Sequence, residues 1–230
     1  QTFTEPGRLH ATYNFDLLEH GGLTVSEMKE AISNAIELFN GSGRLSFAFS
    51  NHDVPRSASR QLSPLGIALD KQDDLQLLLL QLETSLIGST CIYQGEELGL
   101  SDVTDIDFDK MKDPWGINFY PDFLGRDTCR TPMVWEKNKP MGGFTSANES
   151  WLPISKSHLE KAGLDMVKSE GSIYNKFSSF LKWRKQQPAM MTANNMSSIT
   201  GGPKEIIFDR ISKTQILRCK FDFELVKATF

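Results

Sequence analysis

Three short apolar segments alternate with two helical patterns in the first part of the chain. Residues 8–16, 45–49 and 89–93 are apolar or aromatic and short enough to be strands. Between them, residues 24–39 and 71–87 carry apolar side chains at helical spacing. Because strands and helices alternate in this way in parallel α/β proteins, the pattern predicts part of a parallel sheet or barrel.

The second predicted strand ends in a group of polar residues. The apolar run Leu45–Phe49 is followed, after one serine, by Asn51, His52 and Asp53. Since parallel strands present functional side chains at their C-terminal ends, we consider these three a candidate site for a hydroxyl-rich ligand. An alternative stays equally open, in which Asp53 caps the next segment and His52 satisfies hydrogen bonds in the core. A loop return would bring Arg56 near Asp53, although an isolated arginine more often forms a surface ion pair.

Residues 100–168 are predicted to form a long irregular region that contains five prolines and three tryptophans. So long a loop in a compact protein is normally functional, for example as a lid or a pocket wall. Arg126, Asp127 and Arg130 form a dense charged group within it. Arginine suits fixed, bidentate contacts with a carboxylate, which belongs either to the protein or to a ligand. The aromatic side chains of this region would stack on sugar rings or pack the loop onto the core.

The remaining segments have simpler patterns. Residues 40–43 are predicted to end the first helix, and residues 54–70 are predicted to form a polar loop. A further helix is expected over 172–187, with Pro188 just past its end. Residues 196–230 alternate as short strands, so we expect a change of domain near Pro188.

Charge and cysteine usage exclude several classes of function. The net charge is −4 and Lys and Arg form no cluster, which disfavours nucleic acid or an anionic membrane as partner. The three cysteines are far apart, and Cys91 lies in an apolar run where we expect a buried thiol. Four scattered histidines give no zinc motif, so no metal or cofactor is expected. The longest apolar stretch, 75–82, is too short to span a membrane, and no signal peptide is visible, which suggests a cytoplasmic protein.

Glu96 and Glu97 are two adjacent carboxylates that could take part in catalysis. Being adjacent, they would point to opposite faces of an extended backbone and make a poor acid–base pair. We therefore expect a structural role for at least one of them.

Four stretches share their residues, order and spacing with one known family. They are RLHATYNFDLL at 8–18, FSNHDVPR at 49–56, YQGEELGL at 93–100 and GRDTCRTPMVW at 125–135. Two more, GGFTSANESWLPI at 142–154 and FLKWRKQQPAM at 180–190, extend the likeness over nearly the whole chain. The chain thus resembles the alpha-amylase family of glycoside hydrolases (family 13), and within it the bacterial alpha-glucosidases and oligo-1,6-glucosidases.

The resemblance implies the last part of a (β/α)8 TIM barrel at 1–188, with its long loop at 100–168, and an incomplete all-β C-terminal domain at 189–230. It also implies a retaining mechanism on alpha-linked glucosides, with a carboxylate nucleophile and a carboxylic general acid. Asp53 would be a third catalytic carboxylate, which binds sugar hydroxyls and stabilises the transition state. The resemblance further suggests a set of substrate-binding residues, namely Asn51, His52, Arg56, Arg126 and Arg130.

In this family the nucleophile and the general acid come from strands that precede the one at 8–16. We therefore expect the chain to be the C-terminal part of an alpha-glucosidase that releases terminal glucose from short oligosaccharides of the maltose or sucrose type. Alone, it is expected to be inactive. Two alternatives remain: a transglucosylase or sucrose isomerase of the same family, and a non-catalytic binding or partner subunit.

Overall fold

The structure is a computed structural model that describes residue 4 and residues 7–38, 44–192 and 195–230. The predicted end of the first helix at 40–43 therefore lies outside the described residues. Among the helices within these ranges, none combines the length and the apolar character that crossing a membrane requires.

The predicted strand–helix alternation is present in the first part of the chain. Three parallel strands form a sheet in the order β1 (Ala11–Tyr13), β2 (Arg44–Phe47) and β3 (Ser89–Thr90). Their C-terminal ends therefore meet at one edge of the sheet, and the centre of that edge is the polar segment that follows β2. This arrangement confirms the α/β class.

Two long helices support the sheet. Helix α1 (Val25–Leu38) begins at a capping box, in which Thr24 and Glu27 bond each other's backbone N–H groups. It buries Met28 and Ile32 in the main core. Helix α3 (Gln72–Ser85) buries leucines on more than one side.

One element was predicted wrongly: residues 54–70 are not a polar loop throughout. They contain helix α2 (Ser57–Leu65), which keeps Pro64 near its C-terminal end. Three of its polar side chains, Ser57, Arg60 and Gln61, are buried and form hydrogen bonds with the core. Gln61, for example, accepts a 2.8 Å bond from the N–H of Leu23.

The long region at 100–168 is irregular, as predicted, and holds only short helices. These are α4 (Pro114–Phe119), α5 (Lys156–Leu159) and α6 (Gly163–Lys168), with 3-10 turns before α4 and between α4 and α5. Helix α7 (Ile173–Lys185) then returns to regular structure and packs on α3.

The chain ends in a small antiparallel sheet. A short helix, α8 (Pro188–Met191), leads into β4 (Glu205–Ile211), β5 (Ile216–Asp222) and β6 (Lys227–Thr229). Side chains such as Phe208 and Phe221 join the main core together with residues of α1 and α3. The division into domains at residue 188 stays a prediction, and the two parts on either side of it share this core.

Cys91 corrects a smaller expectation. It was expected to be a buried thiol, but its side chain is exposed, whereas Cys129 and Cys219 are buried. Cys91 directly follows β3, which is an edge strand among the strands that the structure describes.

Candidate functional site

The buried carboxylate of Glu96 fixes the polar segment that follows β2. Ser50 donates a 2.6 Å bond to Glu96, and its hydroxyl accepts a 2.7 Å bond from the N–H of Ser57. Glu96 also accepts a bond from the N–H of Tyr93, at 2.8 Å, and its side chain is almost fully buried. These contacts join the ends of β2 and β3 to the start of α2. Glu96 thus has the structural role that was expected for one of the two adjacent glutamates.

Asn51 turns the backbone at the tip of the strand. Its Oδ1 accepts from the N–H groups of Asp53, at 2.8 Å, and of Val54, at 3.1 Å. Such a side-chain turn fixes the direction in which the following residues project. Asn51 therefore orients Asp53, through an oxygen that a ligand would otherwise use.

The carboxylate of Asp53 is half exposed, and two arginines hold one of its oxygens. Oδ1 accepts from Arg126 Nη1 at 3.2 Å and from Arg130 Nη2 at 3.0 Å. Oδ2 lies 3.4 Å from His52 Nε2, and the His52 side chain is 68% exposed. The structure thus brings together four predicted site residues from segments more than seventy positions apart. Neither capping by Asp53 nor burial of His52 is observed.

Arg130 has a second contact at the same place. Its Nε donates a 2.6 Å bond to the backbone carbonyl of His52. Because both bonds come from one planar guanidinium, the relative positions of the His52 backbone and the Asp53 carboxylate are fixed together.

Arg126 is held in turn by Asp113, a residue that the sequence analysis missed. Nε and Nη2 of Arg126 donate to the two oxygens of Asp113 at 3.1 Å and 2.7 Å, and its backbone N–H donates at 2.7 Å. The Asp113 side chain has no exposed surface. Hydrogen bonds from Arg126 lower the pKa of Asp113 to about 2, so it stays ionised. The Asp113–Pro114 sequence, typical of a helix start with proline in the first turn, was the available signal.

Asp127 supports the same arrangement from the backbone. Its Oδ2 accepts from the N–H groups of Lys112, at 2.6 Å, and of Asp113, at 2.9 Å, and its side chain is fully buried. The charged group that was predicted at 126–130 is therefore divided in function. Asp127 fixes the loop, whereas Arg126 and Arg130 extend to Asp53.

Arg56, which was predicted to bind the substrate, is buried instead. It has no exposed surface, and it donates to the backbone carbonyls of Gln94 and Cys129 while its guanidinium lies 5.1 Å from the ring centre of Tyr93. Asp102 accepts from its backbone N–H at 3.1 Å. Arg56 therefore joins the segment after β3 to the long loop. Because its guanidinium is buried, it offers no surface to a ligand.

The geometry suits recognition of a hydroxyl-rich ligand. Asp53 Oδ2 accepts no hydrogen bond from the residues that the structure describes, so it keeps its acceptor capacity for a ligand. The neighbouring His52 ring adds an exposed donor or acceptor. Among the described residues, no group of three or more His, Cys, Asp or Glu side chains is placed to hold a metal ion.

Comparison with known proteins points to one family. The family model described as "Alpha amylase, catalytic domain" matches residues 10–193. A probable alpha-glucosidase of Rhizobium meliloti is 41% identical over 183 residues, which are 80% of this chain and 32% of that protein. An oligo-1,6-glucosidase of Halalkalibacterium halodurans is 25% identical over 225 residues, covering 88% of this chain and 39% of its own length. The chain thus spans about a third of the length of these curated relatives.

Solved structures agree with the sequence matches. An alpha-glucosyl transfer enzyme superposes with a TM-score of 0.83 and 34% identity, over 96% of this chain and 39% of that one. A trehalose-6-phosphate hydrolase of Bacillus licheniformis gives a TM-score of 0.81 at 22% identity, over 96% and 44% of the two chains, which shows the fold alone. The three parallel strands thus form part of a TIM barrel, as predicted, and the antiparallel sheet is consistent with an all-β C-terminal domain. The chain belongs to the alpha-amylase family of glycoside hydrolases, in the group that contains the alpha-glucosidases and oligo-1,6-glucosidases.

Proposed function

We propose that this chain is part of a retaining alpha-glucosidase that removes terminal alpha-linked glucose from short oligosaccharides. The observation that carries the proposal is the Asp53 carboxylate, with one oxygen held by Arg126 and Arg130 and the other, beside His52, accepting no hydrogen bond from the described residues. Its place in the segment FSNHDVPR, within a region 41% identical to a probable alpha-glucosidase, supports the same function.

Asp53 would act on the glucose unit whose bond is cleaved. A carboxylate accepts hydrogen bonds from sugar hydroxyls, and these bonds strengthen as the sugar acquires positive charge in the oxocarbenium-like transition state. Arg126 and Arg130 prevent the Asp53 side chain from rotating, so its orientation is prepared before the substrate binds. His52 would bind the same sugar from the exposed side of the site. Asn51 and Arg56 would support the site rather than bind the sugar.

We also propose that the 230-residue chain alone does not hydrolyse glucosides. A retaining glycosidase needs two carboxyl groups about 5 Å apart across the scissile bond. The carboxylates nearest to the site in the hydrogen-bond network, Asp113 and Asp127, are buried and bonded to the loop, so neither is free to serve. We assign the nucleophile and the general acid to the part of the protein outside this chain, since the chain spans about a third of the length of its curated relatives.

Glucosyl transfer is the second candidate, and the alpha-glucosyl transfer enzyme at 34% identity favours it. Both reactions would use the same glucosyl intermediate and differ in the acceptor, which is water in hydrolysis and a sugar in transfer. Recognition of glucose by Asp53 is common to both.

Product analysis tests the proposal. The protein is expressed from its complete coding sequence and incubated with maltose, isomaltose and sucrose, while proton NMR follows the anomer that is released first. We expect alpha-glucose from maltose or isomaltose, and no turnover by the 230-residue chain alone. Mainly longer or isomerised sugars would instead identify the transfer reaction. Absence of all products from the complete protein would refute the proposal.

A further inference from the structure

An exposed aromatic ring is joined to the candidate site through one of its arginines. The ring of Trp115, in α4, lies 5.9 Å from the guanidinium carbon of Arg126, the residue that bonds Asp53. Arg126 thus contacts both the indole and the Asp53 carboxylate. We propose that Trp115 binds the part of an oligosaccharide that lies beyond the glucose unit at Asp53; this rests on the function proposed above.

The indole is held in place and is only partly covered. His20 and Phe123 contact it nearly at right angles, with ring centres 6.4 Å and 5.4 Å away. Arg126 is close to the ring as well, and even so Trp115 keeps 47% of its surface exposed. A large apolar ring that is fixed by neighbours and open to solvent is suited to stack on a flat ligand.

The neighbouring residues extend this aromatic surface. Phe119 and Tyr120, at the end of α4, are 56% and 46% exposed, and the Tyr120 ring packs against Phe108 at 5.0 Å. The C–H groups on one face of a pyranose form an apolar surface that packs on such rings, while its hydroxyls remain hydrated. The site therefore combines a carboxylate for the hydroxyls of one sugar with aromatic surface for the next.

Two contacts fix the position of α4, and with it the position of Trp115. Asp113 accepts a bond from the backbone N–H of Trp115 at the start of the helix and also bonds Arg126, so one buried side chain fixes the Trp115 backbone and the arginine together. Close approach at Gly116 fixes the opposite side, since a Cβ there would lie 2.4 Å from the Leu124 carbonyl oxygen. The distance between the aromatic surface and Asp53 is thus set by the fold.

The inference predicts a substrate-dependent effect of Trp115→Ala. In the protein expressed from its complete coding sequence, kcat/KM for maltose should fall about tenfold, because stacking on the second sugar is lost. Alpha-glucosyl fluoride has no second sugar, so its hydrolysis should change less than about threefold. Trp115→Phe should restore most of the maltose activity. Trp151→Ala is the matched control, since Trp151 is similarly exposed, at 51%, and lines a cleft with Met141, Leu152 and Pro153.

The outcomes separate the two claims. If Trp115→Ala lowers kcat/KM equally for maltose and for alpha-glucosyl fluoride, the ring only supports Arg126, and the inference is wrong. Unchanged maltose activity would refute it as well, and would indicate that another part of the protein covers this aromatic surface. If the unaltered protein cleaves neither substrate, the proposed function itself fails, and the inference fails with it.

Discussion

Arg126 donates to both carboxylate oxygens of the buried Asp113 while its remaining terminal nitrogen bonds Asp53. Asp113 thus determines where the guanidinium lies, and the guanidinium in turn fixes the half-exposed carboxylate. Because the pair is removed from solvent on the Asp113 side, its geometry is little affected by screening. The relationship makes Asp113 a positioning residue for a site that it does not reach.

Replacing Asp113 with Asn should impair catalysis without removing Asp53. The amide keeps the size of the side chain but loses its charge, and one of its two terminal atoms becomes a donor that faces the donors of Arg126. We expect kcat for maltose to fall by about 10- to 100-fold, which corresponds to roughly 1.4 to 2.8 kcal/mol. Steady-state kinetics of the complete protein measure this.

A positioning role for Asp113 also predicts how the variants combine. Once Asp53 has been changed to Asn, the additional Asp113→Asn substitution should have little further effect on the rate. If the two effects instead multiply, Asp113 contributes independently of Asp53. Circular dichroism of each variant shows whether the fold is retained.

The sequence predicted the parts of this site that adjoin regular structure. Asn51, His52 and Asp53 follow an apolar strand, and the convergence of Arg126 and Arg130 on a carboxylate follows from the chemistry of arginine. The sequence did not predict which carboxylate the two arginines would bond, because residue spacing does not show where a long loop folds back onto the protein.

Other features depended on tertiary contacts that no local pattern contains. Helix α2 buries Arg60, which donates to the carbonyls of Leu17, at 3.1 Å, and of Phe49, at 2.7 Å. A polar segment of this kind is indistinguishable from a loop until those acceptors are known. The same holds for Arg56, whose burial depends on carbonyls of Gln94 and Cys129 far along the chain.

Arg210 should be essential for stability where the antiparallel sheet meets α3. Its buried guanidinium donates to the carbonyls of Ser85, at 2.8 Å, and of Leu86, at 2.7 Å, and also to that of Thr192. Arg210→Met would leave these buried acceptors unpaired, so we expect a loss of about 3 kcal/mol in the free energy of unfolding. Urea titration measures it.

Arg218 provides the matched control on the next strand. Its side chain is 73% exposed and forms a surface ion pair with Asp209. Arg218→Met should leave the urea midpoint nearly unchanged, because exposed pairs contribute little. Equal losses for the two variants would show that the Arg210 contacts are not what joins the sheet to the helix.

His158 should make stability depend on pH. Burial lowers the pKa of this imidazole to about 4, and its Nε2 lies 2.8 Å from the Ser101 carbonyl oxygen. Between pH 6.5 and 4 the unfolded chain therefore binds a proton that the folded protein excludes, so stability falls as the pH is lowered through this window. At pH 4.5 the loss relative to pH 7 should be roughly 2 to 3 kcal/mol from this residue.

His158→Gln is the informative variant, because an amide nitrogen can still donate to Ser101 but the side chain does not titrate. Urea titrations at pH 7 and pH 4.5 should show a smaller pH-dependent loss for the variant than for the unaltered protein. Identical losses in the two proteins would contradict a neutral, buried His158.

Asp53→Asn tests the central claim most directly. The change keeps the size of the side chain and removes the negative charge that would stabilise the transition state, so kcat/KM for maltose should fall by at least about a thousandfold. Asp74→Asn, at an exposed ion pair with Lys71, should have no effect and serves as control. Activity of the Asp53 variant within tenfold of the unaltered protein, with the fold intact, would contradict the catalytic role of this carboxylate.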